Sequence, residues 1–550
     1  MMNPESNMQD NGAEKNGRVS HKNLIVLILV IALAVCVCAA AIIAVVNTIR
    51  NDNPTESTLN SEALAEQARN TVAMTVGNHN ISATELNYYY VETINKFCSD
   101  YYYYIYYYGM IDTAKPLNEQ YFDKEAGTTW ADYFLGIAEE TIKSTYVLCD
   151  MAAAEGFTLS EEQLASLDTL ADSIEEYAAY YKFENVNDYI VDIFGHGADL
   201  ESYLAYSERA LLADAYYAHY AESLEFSDEQ LREYESDKAH EYNSYCYAVY
   251  FLDAKKFRTG GTEDDKGNIT YTDEQIAAAV KAAEEAANAL IGSTCEDLEA
   301  FKSLILGMDI NSNLDSVSVT EKKNVAYASI DKTFQEWIIA SDRAFGDVTA
   351  IAKTTTTGEG EDAETVVDGY YIVWFGGVND NKAMMKNVRH ILVLFKNDAG
   401  KTYSDGITSF TDAQKATALA AAEALLEQWK SGAATEDSFA SLATEKTEDG
   451  GSKNTGGLYE NIYPGQMVES FEAWCYDESR QYGDTGIVES VYGYHIMYFV
   501  GESEMTYRDF MISSVMTSEA LTEWHDALLE AIDIEVLCLD FCPMDKTLGG

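Results

Sequence analysis

GYHIMYFVG, residues 493–501, has a near twin earlier in the chain, GYYIVWFGG at 369–377. Each is a short apolar run rich in aromatic and β-branched residues, opened by glycine, and reads as a strand. Upstream of them lie FEAWCYDESRQYGDTGIV (471–488) and FQEWIIASDRAFGDVTAI (334–351). Both carry Phe-x-x-Trp, an Arg after five further residues and Gly-Asp after two more. Further out come TDAQKATALAAAEALLEQWK (411–430) and TDEQIAAAVKAAEEAANALI (272–291), two Ala-rich helices with the same Thr-Asp start. The strands HILVLFKNDAGK (390–401) and CYAVYFLDAKK (246–256) precede them. Four landmarks in one order predict two copies of a single α+β unit, at 243–378 and 387–502. Aligning the strands end to end sets Cys246 opposite His390, Tyr371 opposite His495 and Phe334 opposite Phe471.

The rest of the chain divides around this pair. Residues 71–242 are rich in Ala, Leu, Glu and Tyr and almost free of proline, which predicts an all-helical lobe. TLSEEQLASLDTLADSIEEYAAYY (158–181) and FSDEQLREYESDKAHEY (226–242) open on Ser160 and Ser227, N-caps followed by acidic first turns. A C-terminal segment, 503–550, contains SEALTEWHDALLEAI (518–532), an amphipathic helix too short to form its own core and expected to return to the lobe. YYYYIYYYG (101–109) is either an aromatic groove for a partner chain or a helix packed in the lobe and wetted on one side. The fold class expected is α+β and multidomain, the two repeated units being antiparallel sheets with helices.

Leu24–Val46, LIVLILVIALAVCVCAAAIIAVV, is an unbroken apolar run long enough to cross a hydrocarbon core of about 30 Å. Lys15, Arg18 and Lys22 precede it, so the positive-inside bias places 1–23 in the cytoplasm and the bulk of the chain outside the cell membrane. The alternatives are a cleaved signal peptide or a lipoprotein signal with Cys36 or Cys38 modified. Residues 47–70 form a polar linker. The 550 residues hold 36 basic and 92 acidic side chains, a net charge of −56. That argues against nucleic acid as a partner, because neutralising phosphates needs a basic face. At 47% hydrophobic the chain still has enough apolar surface for folded cores. Beyond the apolar run stand seven cysteines, an odd number without disulfide spacing. No histidine or cysteine cluster has metal-ligand spacing, and no glycine loop reads as phosphate-binding; neither metal nor cofactor is expected.

Within the second copy, Arg389-His390-Ile391-Leu392-Val393, Gly456-Gly457-Leu458, Gly465-Gln466-Met467-Val468-Glu469-Ser470-Phe471 and Tyr492-Gly493-Tyr494-His495-Ile496 stand in sequence. This set resembles the parvulin-type peptidyl-prolyl cis/trans isomerases. The resemblance implies catalytic roles for His390, Asp449, His495 and Ser490. It implies a proline pocket lined by Leu458, Met467 and Phe471, with Tyr492 beside it. The departures are Gly457, where the family has Asp, and Tyr459-Glu460-Asn461 in place of an aromatic pair. The whole layout resembles the PrsA and SurA type of extracytoplasmic foldase, whose partners would be unfolded, newly exported polypeptides with X–Pro bonds. The first copy lacks both histidines and is expected to keep the fold without the activity. A non-catalytic holdase, with both copies as binding modules, is the rival reading.

Overall fold

A computed structural model describes residues 58–357 and 364–549. The cytoplasmic tail expected at 1–23, the apolar run 24–46 and the first part of the 47–70 linker lie outside the described residues. Among the described residues no helix is long and apolar enough to cross a membrane. The chain forms two compact units, one of residues up to Glu225 together with Val515–Gly550, the other Phe226–Ser514.

The first unit is mainly helical, with Ala83–Asp100, Trp130–Glu155, Glu161–Tyr180 and Leu200–Ser223 as its long helices. Capping explains the starts: Ser160 and Thr129 each make reciprocal capping boxes with the residue three positions on. The unit is not all-helical. Val72–Val76 and His79–Ser82 form a hairpin, and Ile534–Val536 from the far end of the chain pairs with its first strand, Met74 opposite Val536. The apolar alternation of VAMTV is too brief to stand out in a helical text; it becomes a strand because the C-terminal segment supplies a partner. The expected return of that segment is seen. Trp524 stacks on Tyr220 at 3.8 Å, His525 Nε2 lies 2.8 Å from Ser144 Oγ, and Cys542 and Leu548 are buried in the core.

The tyrosines split by position. Tyr88, Tyr89 and Tyr90 are buried together with Phe134 and Trp130. In the 101–109 run only one short helix forms, Tyr102–Tyr106, with Ile105 buried while Tyr103, Tyr107 and Tyr108 are exposed. Contiguous aromatics point to every side of a helix, so the core accepts some and leaves the others in water.

The second unit contains the two repeats, and their topologies match. In the first, the sheet order is Thr320–Ala326, Ser244–Asp253, Glu364–Asn379, Val348–Thr357; in the second it is Leu458–Ile462, Met384–Leu394, Gly493–Thr506, Thr485–Glu489. All neighbours are antiparallel. The Ala-rich helices, Asp273–Asn288 and Asp412–Ser431, start at capping boxes of Thr272 and Thr411. The Phe-x-x-Trp…Arg landmark is a cation–π clasp in both copies: Arg343 lies 4.5 Å from the Trp337 ring and Arg480 4.3 Å from Trp474. Helix Asp228–Glu235 belongs to this unit, so the boundary falls earlier than the expected residue 242, and the last strand runs to Thr506 rather than stopping at 502.

Register corrects one alignment. Tyr371 pairs with Phe251 as His495 pairs with Leu392, so the position of His390 is held by Val249. Cys246 is three residues away, and an odd shift along a strand moves a side chain to the opposite face.

Candidate active site

In the second repeat the sheet has two unlike faces. Ile391, Tyr494, Ile496 and Tyr498 pack under the helices Asp412–Ser431 and Glu436–Lys446, against Ala418, Trp429 and Phe439. Val388, Met497 and Phe499 face the other way, toward Phe471 and Cys475 of the short helix Glu469–Cys475. His390 pairs with Met497 and His495 with Leu392, so both imidazoles stand diagonally on this second face. Both are buried, at 2% and 6% exposure, which no lone histidine tolerates without partners.

The partners form one continuous chain. Ser490 Oγ is 2.8 Å from His495 Nε2, His495 Nδ1 is 3.1 Å from His390 Nδ1, and His390 Nε2 is 3.0 Å from Asp449 Oδ2. The carboxylate fixes the proton positions. Asp449 Oδ2 also accepts from Ser452 Oγ, from the Ser452 backbone N–H and from Tyr459 OH. Burial opposes its charge, but the bonds from His390 and Ser452, the neighbouring imidazole and Tyr459 outweigh that, holding the carboxyl well below the usual range. An ionised acceptor requires N–H at His390 Nε2, and His390 Nδ1 and His495 Nδ1 share one proton between them. The other ring nitrogen of His495, Nε2, is hydrogen-bonded to Ser490 Oγ. Burial, and then the adjacent His390, push the His495 pKa down to about 3, so this imidazole is neutral at ordinary pH.

The backbone around the network is fitted to it. Thr447, the buried residue closing helix Glu436–Lys446, accepts from the N–H groups of Leu392 and Asp449, tying the Asp449 loop to the strand of His390. Gly457 has φ of +75°, and its carbonyl accepts from His390 N–H at 2.8 Å. A Cβ there would lie 2.2 Å from the His390 carbonyl oxygen. Glycine is needed because the loop is pressed against the strand of His390 in a left-handed conformation.

Phe471 stands edge-on to both imidazoles, with centroids 5.4 Å from His390 and 5.2 Å from His495. Half-buried Met467 and Tyr459 pack beside it, forming an apolar cup over the imidazoles. Six of the eight expected residues come together here: His390, Asp449, His495, Ser490, Met467 and Phe471. Leu458 does not. It pairs with Arg389, whereas Tyr459 pairs with Val388, so Leu458 points to the helix-covered face and Tyr459 to the cup. Tyr492 also stays outside the cup: its ring meets Tyr403 edge-on at 5.0 Å, and its N–H donates to Ser490 Oγ at 3.2 Å. Tyr492 therefore helps to orient Ser490 through its backbone.

Sequence reading missed Ser452 and Tyr459. Asp449-Gly-Gly-Ser452 is an Asp with a hydroxyl three residues on, a loop-closing spacing that was available as a signal. For Tyr459 the available signal was strand alternation counted from Gly457.

In the first repeat the same face carries Val249, Phe251, Tyr371 and Phe334. Phe334 meets Tyr371 edge-on at 5.5 Å, as Phe471 meets His495. Neither imidazole position holds a histidine.

The family model described as Rotamase, PPIC-type PPIASE domain, matches residues 390–501. The Foldase protein PrsA 1 of Listeria innocua is 34% identical over 108 residues, covering 18% of this chain and 37% of that one. The Foldase protein PrsA 3 of Bacillus cereus is 39% identical over 70 residues, covering 12% and 24%. The matched part thus spans little more than a third of the first relative and about a quarter of the second. Among solved structures, the peptidylprolyl isomerase PrsA of Bacillus anthracis aligns at 21% identity over 28% of this chain and 59% of that one, with a TM-score of 0.17. PrsA of Bacillus subtilis aligns at 24% identity over 26% and 46%, with a TM-score of 0.16. By motif and family match, residues 390–501 of this chain are a parvulin, or PPIC-type rotamase, domain.

Proposed function

We propose that the protein is a membrane-anchored, extracytoplasmic peptidyl-prolyl cis/trans isomerase and chaperone that assists the folding of exported proteins. The observation that carries the catalytic part is the closed Ser490–His495–His390–Asp449 chain beneath the cup of Phe471, Met467 and Tyr459. X–Pro isomerisation makes and breaks no bond, yet its barrier is about 18–20 kcal/mol and exchange takes tens to hundreds of seconds. A catalyst has to bind the twisted amide better than either planar form. The cup seats the pyrrolidine ring and excludes water. Twisting removes amide resonance, so the proline nitrogen gains a lone pair and the carbonyl loses anionic character. A prearranged hydrogen-bond chain holding a neutral His495 can favour that distribution without transferring a proton. The residues implied by the parvulin resemblance then act as a scaffold, with Asp449 as its fixed acceptor.

The localisation rests on the apolar run Leu24–Val46 and the charges before it. Clients are unfolded polypeptides emerging from export. The net charge of −56 keeps the protein soluble and apart from acidic neighbours. The holdase reading has its own support in the first repeat, which keeps the face and lacks both imidazoles, and in the exposed Tyr103, Tyr107 and Tyr108. The two are separated by measuring proline-peptide isomerisation by the protein and by Asp449→Ala, beside aggregation suppression of a client without critical prolines. Isomerisation lost in the variant supports the enzyme; suppression without any isomerisation selects the holdase.

A further inference from the structure

Beside the proline cup lies an open cavity of about 670 Å³. Its floor is Phe395, Phe410, Val468, Ala473 and Val491, and Ser490 forms part of its wall. It is continuous with the catalytic site at two points. Ser490 Oγ lies 2.8 Å from His495 Nε2, and Val468 directly follows Met467 of the cup. A substrate whose proline occupies the cup must pass its neighbouring residue across this rim, since the isomerising bond joins the two.

The charges of the cavity are three. Lys415 is neutralised by Glu489, with Nζ 2.7 Å from Oε1, and its ammonium also lies 5.4 Å from the Phe395 ring. Glu489 in addition accepts from Tyr494 OH at 3.0 Å. Glu469 is exposed at the start of the short helix and has no ion-pair partner among the described residues. The lining is thus an apolar floor with one unbalanced negative charge at its edge. A long side chain with an apolar stem and a cationic tip is complementary to it: the stem covers Phe410 and Val491 while the tip reaches Glu469. An acidic side chain meets the same floor and a like charge.

We propose that this groove binds the residue preceding proline and selects lysine or arginine over glutamate there, with Glu469 as the specificity-determining residue. The proposal rests on the isomerase reading and names its substrate class. The experiment measures kcat/KM of the full chain on a peptide series differing only before proline, with Lys, Leu or Glu. Fluorescence anisotropy records binding of the same peptides. Lys is expected to exceed Glu by about tenfold at low salt, the size of one favourable against one unfavourable partly exposed charge contact. The ratio should shrink at high ionic strength. Glu469→Lys should bring the two together or invert them. Turnover that is equal for all three peptides, or a preference unchanged in Glu469→Lys, overturns the groove while leaving the isomerase reading intact. Absence of turnover on every peptide refutes the isomerase reading; the anisotropy series then decides the groove, with equal binding of Lys and Glu peptides counting against it.

Discussion

Acidification is the perturbation that discriminates most sharply between a scaffold of fixed protons and a titrating histidine. His495 has its pKa pushed down from 6.5 to about 3 by burial and by His390. At pH 5 a histidine at 6.5 would be about 97% protonated, whereas one at 3 would be about 1% protonated. If neutral His495 is the active form, its own protonation should leave kcat/KM level from pH 8 to pH 5; an ordinary histidine at this position would cut it about thirtyfold over that range. The same depression has a signed effect on stability. Above pH 6.5 both the folded and unfolded states carry neutral His495. Below it the unfolded chain gains a proton that the folded one refuses, so stability is lost as pH falls toward 3. At about 1.4 kcal/mol per unit, moving from pH 7 to pH 4.5 removes about 3 kcal/mol. Asp449 does not confuse the comparison: its folded pKa lies below the ordinary 3.8, so its contribution is intact throughout this window and is lost only at lower pH. The assays are kcat/KM against pH on a proline peptide, and urea unfolding of wild type and His495→Gln at both pH values. The acid loss in wild type should exceed that in the variant by about 3 kcal/mol. A sigmoidal rate profile with a midpoint between pH 6 and 7, or equal acid losses in the two proteins, would refute the proton assignment.

Asp449→Asn keeps the shape but removes the acceptor facing His390, Ser452 and Tyr459, so kcat/KM should fall about ten- to a hundredfold, the equivalent of one charge-assisted bond; peptide turnover checks it. Tyr459→Ala should raise KM severalfold by opening the cup, while Leu458→Ala should leave KM within about twofold, and the reverse order would overturn the register. Gly457→Ala forces a Cβ against the His390 carbonyl and should lower stability by about 3 kcal/mol or more, measured by denaturation; Gly450→Ala, with open space around it, is the control. Arg508 is buried at 3% exposure and donates to Glu235, Asn243 and the carbonyls of Asp380 and Ala239. Arg508→Met leaves these acceptors unmet and should cost about 3–5 kcal/mol in the unfolding of this unit.

Repetition carried most of what could be read without coordinates. A duplicated set of Thr-Asp helix starts, Phe-x-x-Trp…Arg segments and glycine-led strands survives because each landmark is local: a cap, a cation–π clasp, a strand opening. Of the eight site residues implied by the parvulin resemblance, six come together in the second copy. Face and register decided the remainder. Leu458 and Tyr459 are adjacent and both apolar in part, and only their pairing with Arg389 and Val388 shows which one enters the cup. The match of Cys246 to His390 failed for the same reason, since composition does not record a shift of three residues but pairing does. The strand Val72–Val76 depends on a partner more than four hundred positions away, which no local pattern carries. The sequence by itself determined the acidic composition, the apolar run and the paired α+β units, because these depend on local residue order. Only the tertiary structure decided the hydrogen-bonded chain from Ser490 to Asp449, the entry of Ser452 and Tyr459, and the cavity beside Ser490, because each arises where segments distant in sequence meet.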